Sequence, residues 1–298
     1  MRPADVDQRG PASGSPLVSV LTPSYNQRAY LPDNLGSVSR QTYPHIEHIV
    51  MDGGSTDGSV ELLESAGPNV RWRSEPDRGQ AHAINKAFAD SSGEIVGWLN
   101  SDDAYFDSEV VADVVRFFDR HPEADVVYGH VARVSADGRV IYIIWVPPFA
   151  YGLLRSMCFL EQPGVFFRRR AIEEEFLDES FHFAMDWELW LRLGRARRFV
   201  RMSRIVAIDR IQPERKMKTQ EAVLEADRAR LGEMYGVRLP WYYFRLWSLL
   251  TIVSRVAGGR YALKMSDDLV FGGAQDDRWT LFKRQVASRQ SRWPQEWR

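Results

Sequence analysis

The 298-residue chain has a single cysteine, Cys158. One thiol excludes an intrachain disulfide and a cysteine-built metal cluster, and it suits a reducing compartment. The chain also lacks charge of one dominant sign: 39 Lys+Arg nearly cancel 40 Asp+Glu, so nothing global points to nucleic acid. The first ten residues, MRPADVDQRG, have no apolar core of a leader, so no signal peptide is expected. No uncharged apolar run reaches the roughly 20 residues of a spanning helix. The nearest approach, Leu239–Val253, contains Arg245. The six histidines lack ligand spacing, and the one close pair, His45 and His48, flanks a predicted strand. Internal repeats are absent as well. A cytoplasmic protein is expected, with any membrane contact peripheral and at the inner face.

What is present is ordinary globular material, 44% hydrophobic and 27% charged. Residues 1–15, rich in Pro, Gly and Ser, read as a flexible arm. From Leu17 to about Asp119, short β-branched runs alternate with helical spacing. "LVSVLTP" is a strand stopping at Pro23, "IEHIVMD" a strand ending at Asp52, and "EIVGWLN" a strand running into "NSDD". A helix starts near Asp57, and "GQAHAINKAFADSSG" is a helix with Gly93 as its stop. This alternation predicts an α/β fold, a mostly parallel sheet with helices on both faces. Further on, Asp137-Gly138 signals a hairpin, "PGVFFRR" a strand and "MDWELWLRLG" a short helix. After about residue 220 the pattern turns helical, then aromatic and basic.

Ligands of open parallel sheets bind outside the carboxyl ends of the strands. Three such ends carry suitable groups: "TPSYNQ", "DGGSTDGS" and "NSDD". Asp52 is placed to accept hydrogen bonds from a base or ribose, whereas Asp57 reads first as a helix cap. Asp102 and Asp103 repel each other at the end of a buried strand. A divalent cation between them and a diphosphate reverses that sign, and Mg²⁺ or Mn²⁺ takes one or two carboxylates plus phosphate oxygens. Arg78, before Gly79, is the candidate nucleotide contact near the next helix start, while Lys86 fits a solvated face. Asp186, in a helix start packed with Trp187 and Trp190, is a carboxylate held still enough to take a proton from an acceptor hydroxyl. An N-cap is its bland alternative.

In order, "VSVLTPSYNQ", "IVMDGGSTDGS", "SEPDRGQAHAINKAF", "GEIVGWLNSDDAY", "LEQPGVFFRR" and "MDWELWLRL" resemble the family-2 inverting glycosyltransferases of the GT-A fold, over about residues 16–213. The resemblance implies a nucleotide-sugar donor, a UDP-sugar first, with Mn²⁺ or Mg²⁺ and single displacement onto a hydroxyl of a saccharide or lipid-linked acceptor. Pro23, Tyr25, Asn26, Asp52, Ser55, Arg78, Gln80, Ser101, Asp102 and Gln162 would then bind the nucleotide sugar. Asp103 and Asp102 would hold the metal, and Asp186 would be the general base, needing no raised pKa. One departure stands out: a histidine often found in an R-x-H-P turn is Gln212 here, in Arg210-Ile211-Gln212-Pro213, a poorer metal ligand. Two other readings compete. A nucleotidyltransferase would want a glycine- and basic-rich loop after its first strand. A catalytically silent nucleotide-sugar or glycan binder would not need Asp102, Asp103 and Asp186.

The expected organisation is an arm at 1–15, a GT-A domain at 16–220 and a helical extension at 221–298. From Leu239 to Arg298 the extension holds ten Lys+Arg against five Asp+Glu. Its segment 239–264 begins with Trp241, Tyr242, Tyr243, Phe244 and Trp247. Such a stretch suits a bilayer interface. Packing on the catalytic domain or in a homodimer interface is the alternative.

Overall fold

The computed structural model describes residues 14–136, 138, 140–173, 175–212 and 221–238, with two short strands at Val270–Phe271 and Ala274–Gln275. Residues 1–13 of the predicted arm and the segment 239–264 lie outside the described residues. No helix among the described residues is long and apolar enough to cross a membrane.

The first half alternates as the sequence pattern predicts: β1 (Val18–Ser24), α1 (Leu31–Ser39), β2 (Ile46–Asp52), α2 (Ser59–Glu64), β3 (Val70–Ser74), α3 (Gln80–Asp90) and β4 (Ile95–Trp98). There follow β5 (Ala104–Tyr105), α4 (Val110–Arg120), β6 (Val126–Ser135), β7 (Val140–Ile144) and α5 (Tyr151–Leu154). The last elements are β8 (Val165–Arg168), α6 (Met185–Gly194), β9 (Phe199–Ile211) and α7 (Glu221–Tyr235). The sheet runs β3-β2-β1-β4-β8-β6-β9-β5, with β7 on β6. Its first four strands are parallel throughout. In the second half β8 is antiparallel to β4 and β6, while β9 is parallel to β6.

Period-two alternation sorts the strand residues to two faces. Val18 and Val20 of β1 belong to one core cluster with Val111, Val114 and Phe118 of α4, whereas Leu21 belongs to the other, with Ile84 and Ala87 of α3 and Trp190 of α6. Both faces are therefore covered, and β1 is buried along its whole length.

Helix ends differ from the sequence reading by a few residues. α3 stops at Asp90 rather than at Gly93. Gly93 has another reason to be glycine: a Cβ there would lie 2.5 Å from Ser19 Oγ and 2.6 Å from Ser19 N. α2 begins at Ser59, after Gly58 at φ 91°. The predicted hairpin forms between β6 and β7, with Gly138 at φ 80°. α7, the first element of the expected extension, packs into the main core through Leu231 and Tyr235, joined by Val237 just beyond its end.

Candidate active site

Register places the three loops side by side, because β1 sits between β2 and β4 with Ser24 opposite Asp52 and Leu21 opposite Trp98. Beyond these strand ends lies a cleft of about 1070 Å³. Pro23, Tyr25, Asn26, Gln80, Ser101, Asp102 and Asp103 all line it. Four aspartates face it, Asp57, Asp77, Asp102 and Asp103, and no lysine or arginine is among its described lining residues.

The first two loops are stitched together. Asn26 adopts φ 52°, a left-handed conformation that Asn tolerates. There its amide donates to Ser55 Oγ at 2.7 Å and its Oδ1 accepts the Thr56 amide at 2.9 Å. Tyr25 is 62% exposed, a bare ring at the cleft wall. Beneath it, a Cβ on Gly53 would come within 3.2 Å of the Tyr25 ring and 2.8 Å of Asp77 Oδ2. Asp52 is buried, and its carboxylate accepts from the Gly54 and Ser55 amides, Ser55 Oγ and Ser74 Oγ at 2.5–3.1 Å. Those four bonds match a carboxylate's accepting capacity, so Asp52 and Ser55 organise the turn from behind the cleft. Asp57 accepts from the Arg28 amide at 2.9 Å and from Ser59 N and Oγ at 3.0 and 2.6 Å. Burial alone would raise its carboxyl, but these hydrogen bonds outweigh it and hold the group below its usual value.

The floor is a chain of amides whose polarity follows from Trp98. The indole Nε1 can only donate, and it donates to Asn100 Oδ1 at 2.8 Å. Asn100 Nδ2 must then donate to Gln162 Oε1, at 2.8 Å, and Gln162 Nε2 to the Trp98 carbonyl. Gln80 Nε2 also donates to Asn100 Oδ1, at 2.7 Å. Gln162 is thus a buried strut under the cleft. Asn100 is the pivot, although within "NSDD" its residue type signals no more than a turn.

The acidic pair is braced from β9. Arg210, 2% exposed, donates from Nε to the Asp102 carbonyl at 3.2 Å, from Nη1 to Ala136 O at 3.0 Å and from Nη2 to Asp33 Oδ2 at 2.6 Å. Its amide reaches Asp103 Oδ1 at 3.3 Å, and its guanidinium lies 5.1 Å from the centre of the Tyr30 ring, a cation–π distance. Asn34, fully buried, donates to the carbonyls of Asn100 and Asp103 at 2.8 and 3.2 Å. Gln212 turns Nε2 toward Asp102 Oδ2 and toward Gln27 Oε1 at 3.2 Å, so it meets the pair as a donor. Among the described residues no group of three or more His, Cys, Asp and Glu could hold a metal ion. Asp102 and Asp103 remain the oxygen donors that fit a hard divalent cation shared with phosphate oxygens.

Two predicted residues stand apart. Arg78 is exposed and pairs with Glu179 Oε2 at 2.7 Å rather than lining the cleft. Asp186 is the second residue of α6, beyond His182 and Phe183, which do line the cleft. It is not an N-cap, since Ala184 holds that position, and its Oδ1 accepts the Trp187 amide at 2.7 Å. The residue keeps some contact with solvent, yet protein surrounds the carboxyl closely enough for burial to push it up to about 6, against hydrogen bonds that lower it. Its neighbour Glu188 is bonded to Arg192 Nε at 3.0 Å and to the Tyr235 hydroxyl at 2.6 Å, a structural duty. Lys86 pairs with Glu75 at 2.8 Å, but its side chain is only 19% exposed, so it is half-buried rather than on the solvated face the sequence suggests.

A PGL/p-HBAD biosynthesis glycosyltransferase of Mycobacterium tuberculosis is 30% identical over 162 residues, 52% of this chain and 60% of the relative. The chain thus spans about three-fifths of that relative's length. Among solved structures, residues 1–349 of Staphylococcus aureus TarS in complex with UDP-GlcNAc superpose with a TM-score of 0.59 at 18% identity, covering 84% of this chain and 76% of that one. A mannosyltransferase of Pyrobaculum calidifontis in complex with GDP-Man and Mn²⁺ gives 0.56 at 17% identity, covering 94% and 87%. These likenesses show a GT-A fold. Residues 19–185, more than half of the chain and ending one residue before Asp186, match the sequence model of Glycosyl transferase family 2, and the chain belongs to that family of glycosyltransferases.

Proposed function

We propose that the protein transfers a sugar from a nucleoside-diphosphate sugar, a UDP-sugar first, to a hydroxyl of a saccharide or lipid-linked acceptor, with inversion and with Mn²⁺ or Mg²⁺. The observation that carries this is the charge of the cleft: four aspartates and no lysine or arginine among its described lining residues. A diphosphate placed there without a cation would meet repulsion from these four carboxylates. The family-2 membership supplies the reaction class, and the nucleotide-sugar complexes of TarS and the Pyrobaculum enzyme supply the donor class.

Asp103 and Asp102 would hold the cation, which when bound supplies positive charge against the leaving diphosphate. Tyr25 offers an aromatic face for the base, of the kind on which bases stack. Pro23 and Asn26 shape the same wall, while Asp52 and Ser55 hold its turn. Gln80 and Ser101 would reach the donor from the floor, with Asn100 orienting the Gln80 amide. Asp186 would accept the acceptor's proton as its oxygen attacks. A base is competent when ionised, so the rate should fall as pH drops through about 6. Arg78 would serve the donor only by leaving Glu179. The domain is drawn to include α7, with the aromatic and basic segment 239–264 meeting anionic lipid.

The test is release of nucleoside diphosphate from a panel of UDP- and GDP-sugars with Mn²⁺ or Mg²⁺ and then with chelator. Turnover lost in chelator and restored by Mn²⁺ is expected. Full turnover in excess chelator would overturn the metal, and no turnover with any donor and candidate acceptor would favour a silent binder. The anomeric configuration of the product, read by NMR, checks inversion.

A further inference from the structure

α7 lies beyond the span matched by the family model, and it reaches back to the loop that precedes α6. Its Asp227 is 6% exposed. A single oxygen, Oδ2, accepts three successive backbone amides: His182 at 3.0 Å, Phe183 at 2.7 Å and Ala184 at 3.1 Å. Ala184 is the N-cap position of α6, and no side chain of its own segment caps that helix. Of the three, only the Ala184 amide belongs to the helix start, where amides lack intrahelical partners; the His182 and Phe183 amides belong to the loop before it, so one carboxylate from another helix ties loop and helix start to a single point. It also brings negative charge to the positive end of the α6 dipole.

The origin of this cap matters. A local cap moves with its own loop, whereas Asp227 belongs to a helix anchored in the core by Leu231, fully buried, and by the Tyr235 hydroxyl on Glu188 at 2.6 Å. The loop it grips presents His182 and Phe183 to the cleft, and Asp186 follows two residues after Ala184.

We propose that Asp227 is a positioning residue for glycosyl transfer, which through the His182–Ala184 loop fixes where the Asp186 carboxylate stands relative to the cleft. The inference rests on the reading of Asp186 as the base. Asp227 acts through geometry: burial, with no contribution from Asp227, is what raises the Asp186 carboxyl. Nearby stand His182 in the same loop, the Cys158 thiol, which lies in the field of Asp186, and Glu188, tied to Arg192 and Tyr235.

The test is a double-mutant cycle on the full chain, with nucleoside diphosphate release from UDP- and GDP-sugars and Mn²⁺ as the assay. Asp227→Asn keeps the size but offers the three amides one neutral carbonyl oxygen, a weaker acceptor than the charged carboxylate, so the grip on the loop slackens. Alone it should lower kcat roughly 10²-fold, the scale of an ångström of misplacement. The donor KM should stay within about twofold, and adding Asp227→Asn to Asp186→Asn should lower kcat by less than about twofold more. Wild-type kcat in Asp227→Asn would overturn the proposal, as would an equal fold-loss in both backgrounds. Full kcat in Asp186→Asn removes the base reading and this inference with it. An impaired Asp186→Asn beside an unaffected Asp227→Asn removes only the inference. Should Asp227→Asn not fold, Asp227→Glu, which keeps the charge on a longer arm, enters the same cycle under the same criteria.

Discussion

Replacing Asp186 by Asn keeps the oxygen that accepts the Trp187 amide at 2.7 Å and removes the charge. Burial raises this carboxyl from 3.8 to about 6. At about 1.4 kcal/mol per pH unit, holding the ionised form in the folded protein costs up to about 3 kcal/mol, an upper limit because the residue keeps some solvent contact. The sign follows from the folded value lying above the unfolded one. The penalty is full above about pH 6, shrinks as pH falls, and is gone below about pH 4, where both states are protonated. Asn carries no such penalty. The variant should therefore be more stable than wild type by about 1–3 kcal/mol at pH 7.5, several degrees in Tm at roughly 2–4 °C per kcal/mol for a domain of this size. At pH 4 the two should melt together. Over the same substitution kcat should fall roughly 10²–10⁴-fold, and the wild-type fall in rate below about pH 6 should disappear from the residual activity. Scanning calorimetry at the two pH values and a pH–rate profile measure all of this. No gain in Tm at pH 7.5, or the same gain at both values, would refute the burial argument, and an unchanged kcat would refute the base.

Asp103→Ala should abolish metal-stimulated turnover while leaving the far-UV circular dichroism intact; calorimetric Mn²⁺ binding equal to wild type would remove this residue from the metal site. Tyr25→Ala, at a 62% exposed position, should leave Tm unchanged and weaken nucleoside-diphosphate binding by about 1–3 kcal/mol, the scale of base stacking, whereas Tyr25→Phe should bind as wild type; equal binding by the alanine variant argues against a stacked base. Gly93→Ala drives a Cβ to within 2.6 Å of the Ser19 backbone nitrogen and should cost about 1–3 kcal/mol of stability by overpacking, read as a lower Tm, with no change expected if α3 termination were its only role. Removing 239–298 should abolish salt-sensitive co-sedimentation with anionic liposomes; binding retained by the shortened chain would place the lipid contact elsewhere.

Much of the fold was legible because its signals are local. Period-two runs ending in turn residues placed β1, β2 and β4, and the parallel alternation placed their carboxyl ends together, which is why "TPSYNQ", "DGGSTDGS" and "NSDD" share one cleft. Roles within that cleft were less legible, since a carboxylate's neighbours are not written beside it. Asp52 reads as a ligand from its position after a strand, yet four donors occupy it, among them Ser74 Oγ from β3. Arg78 reads as a nucleotide contact from its place before Gly79; in the fold it stands exposed beside Glu179, a partner about a hundred residues on that no local pattern announces. Asp186 was expected to work at an ordinary pKa, and the packing that raises it comes from tertiary burial. The resemblance ended at about residue 213, so α7 read as an appendage, although Leu231, Tyr235 and Val237 complete the main core.

The adjacent carboxylates at the end of β4 show where the missing information resides. In sequence they are two repelling charges in a polar turn. In the fold, the short strand β5 follows them and pairs antiparallel with β9, Ala104 opposite Ile208. That pairing carries Arg210 beneath the turn and Gln212 beside it. Arg210 is nearly buried and spends its donors on Asp33, Ala136 and the Asp102 carbonyl, so its charge lies under the loop rather than in the cleft. A permanent cation below, fixed by hydrogen bonds, offsets part of the repulsion between Asp102 and Asp103 in the free protein. The cleft side keeps its acidic character, as the proposed exchangeable cation would require. A buried arginine that was simply a structural brace would leave metal affinity unchanged when replaced by lysine, which keeps the charge but cannot span three acceptors. If the brace holds the pair at its working spacing, Arg210→Lys weakens Mn²⁺ binding in calorimetry even where the fold survives.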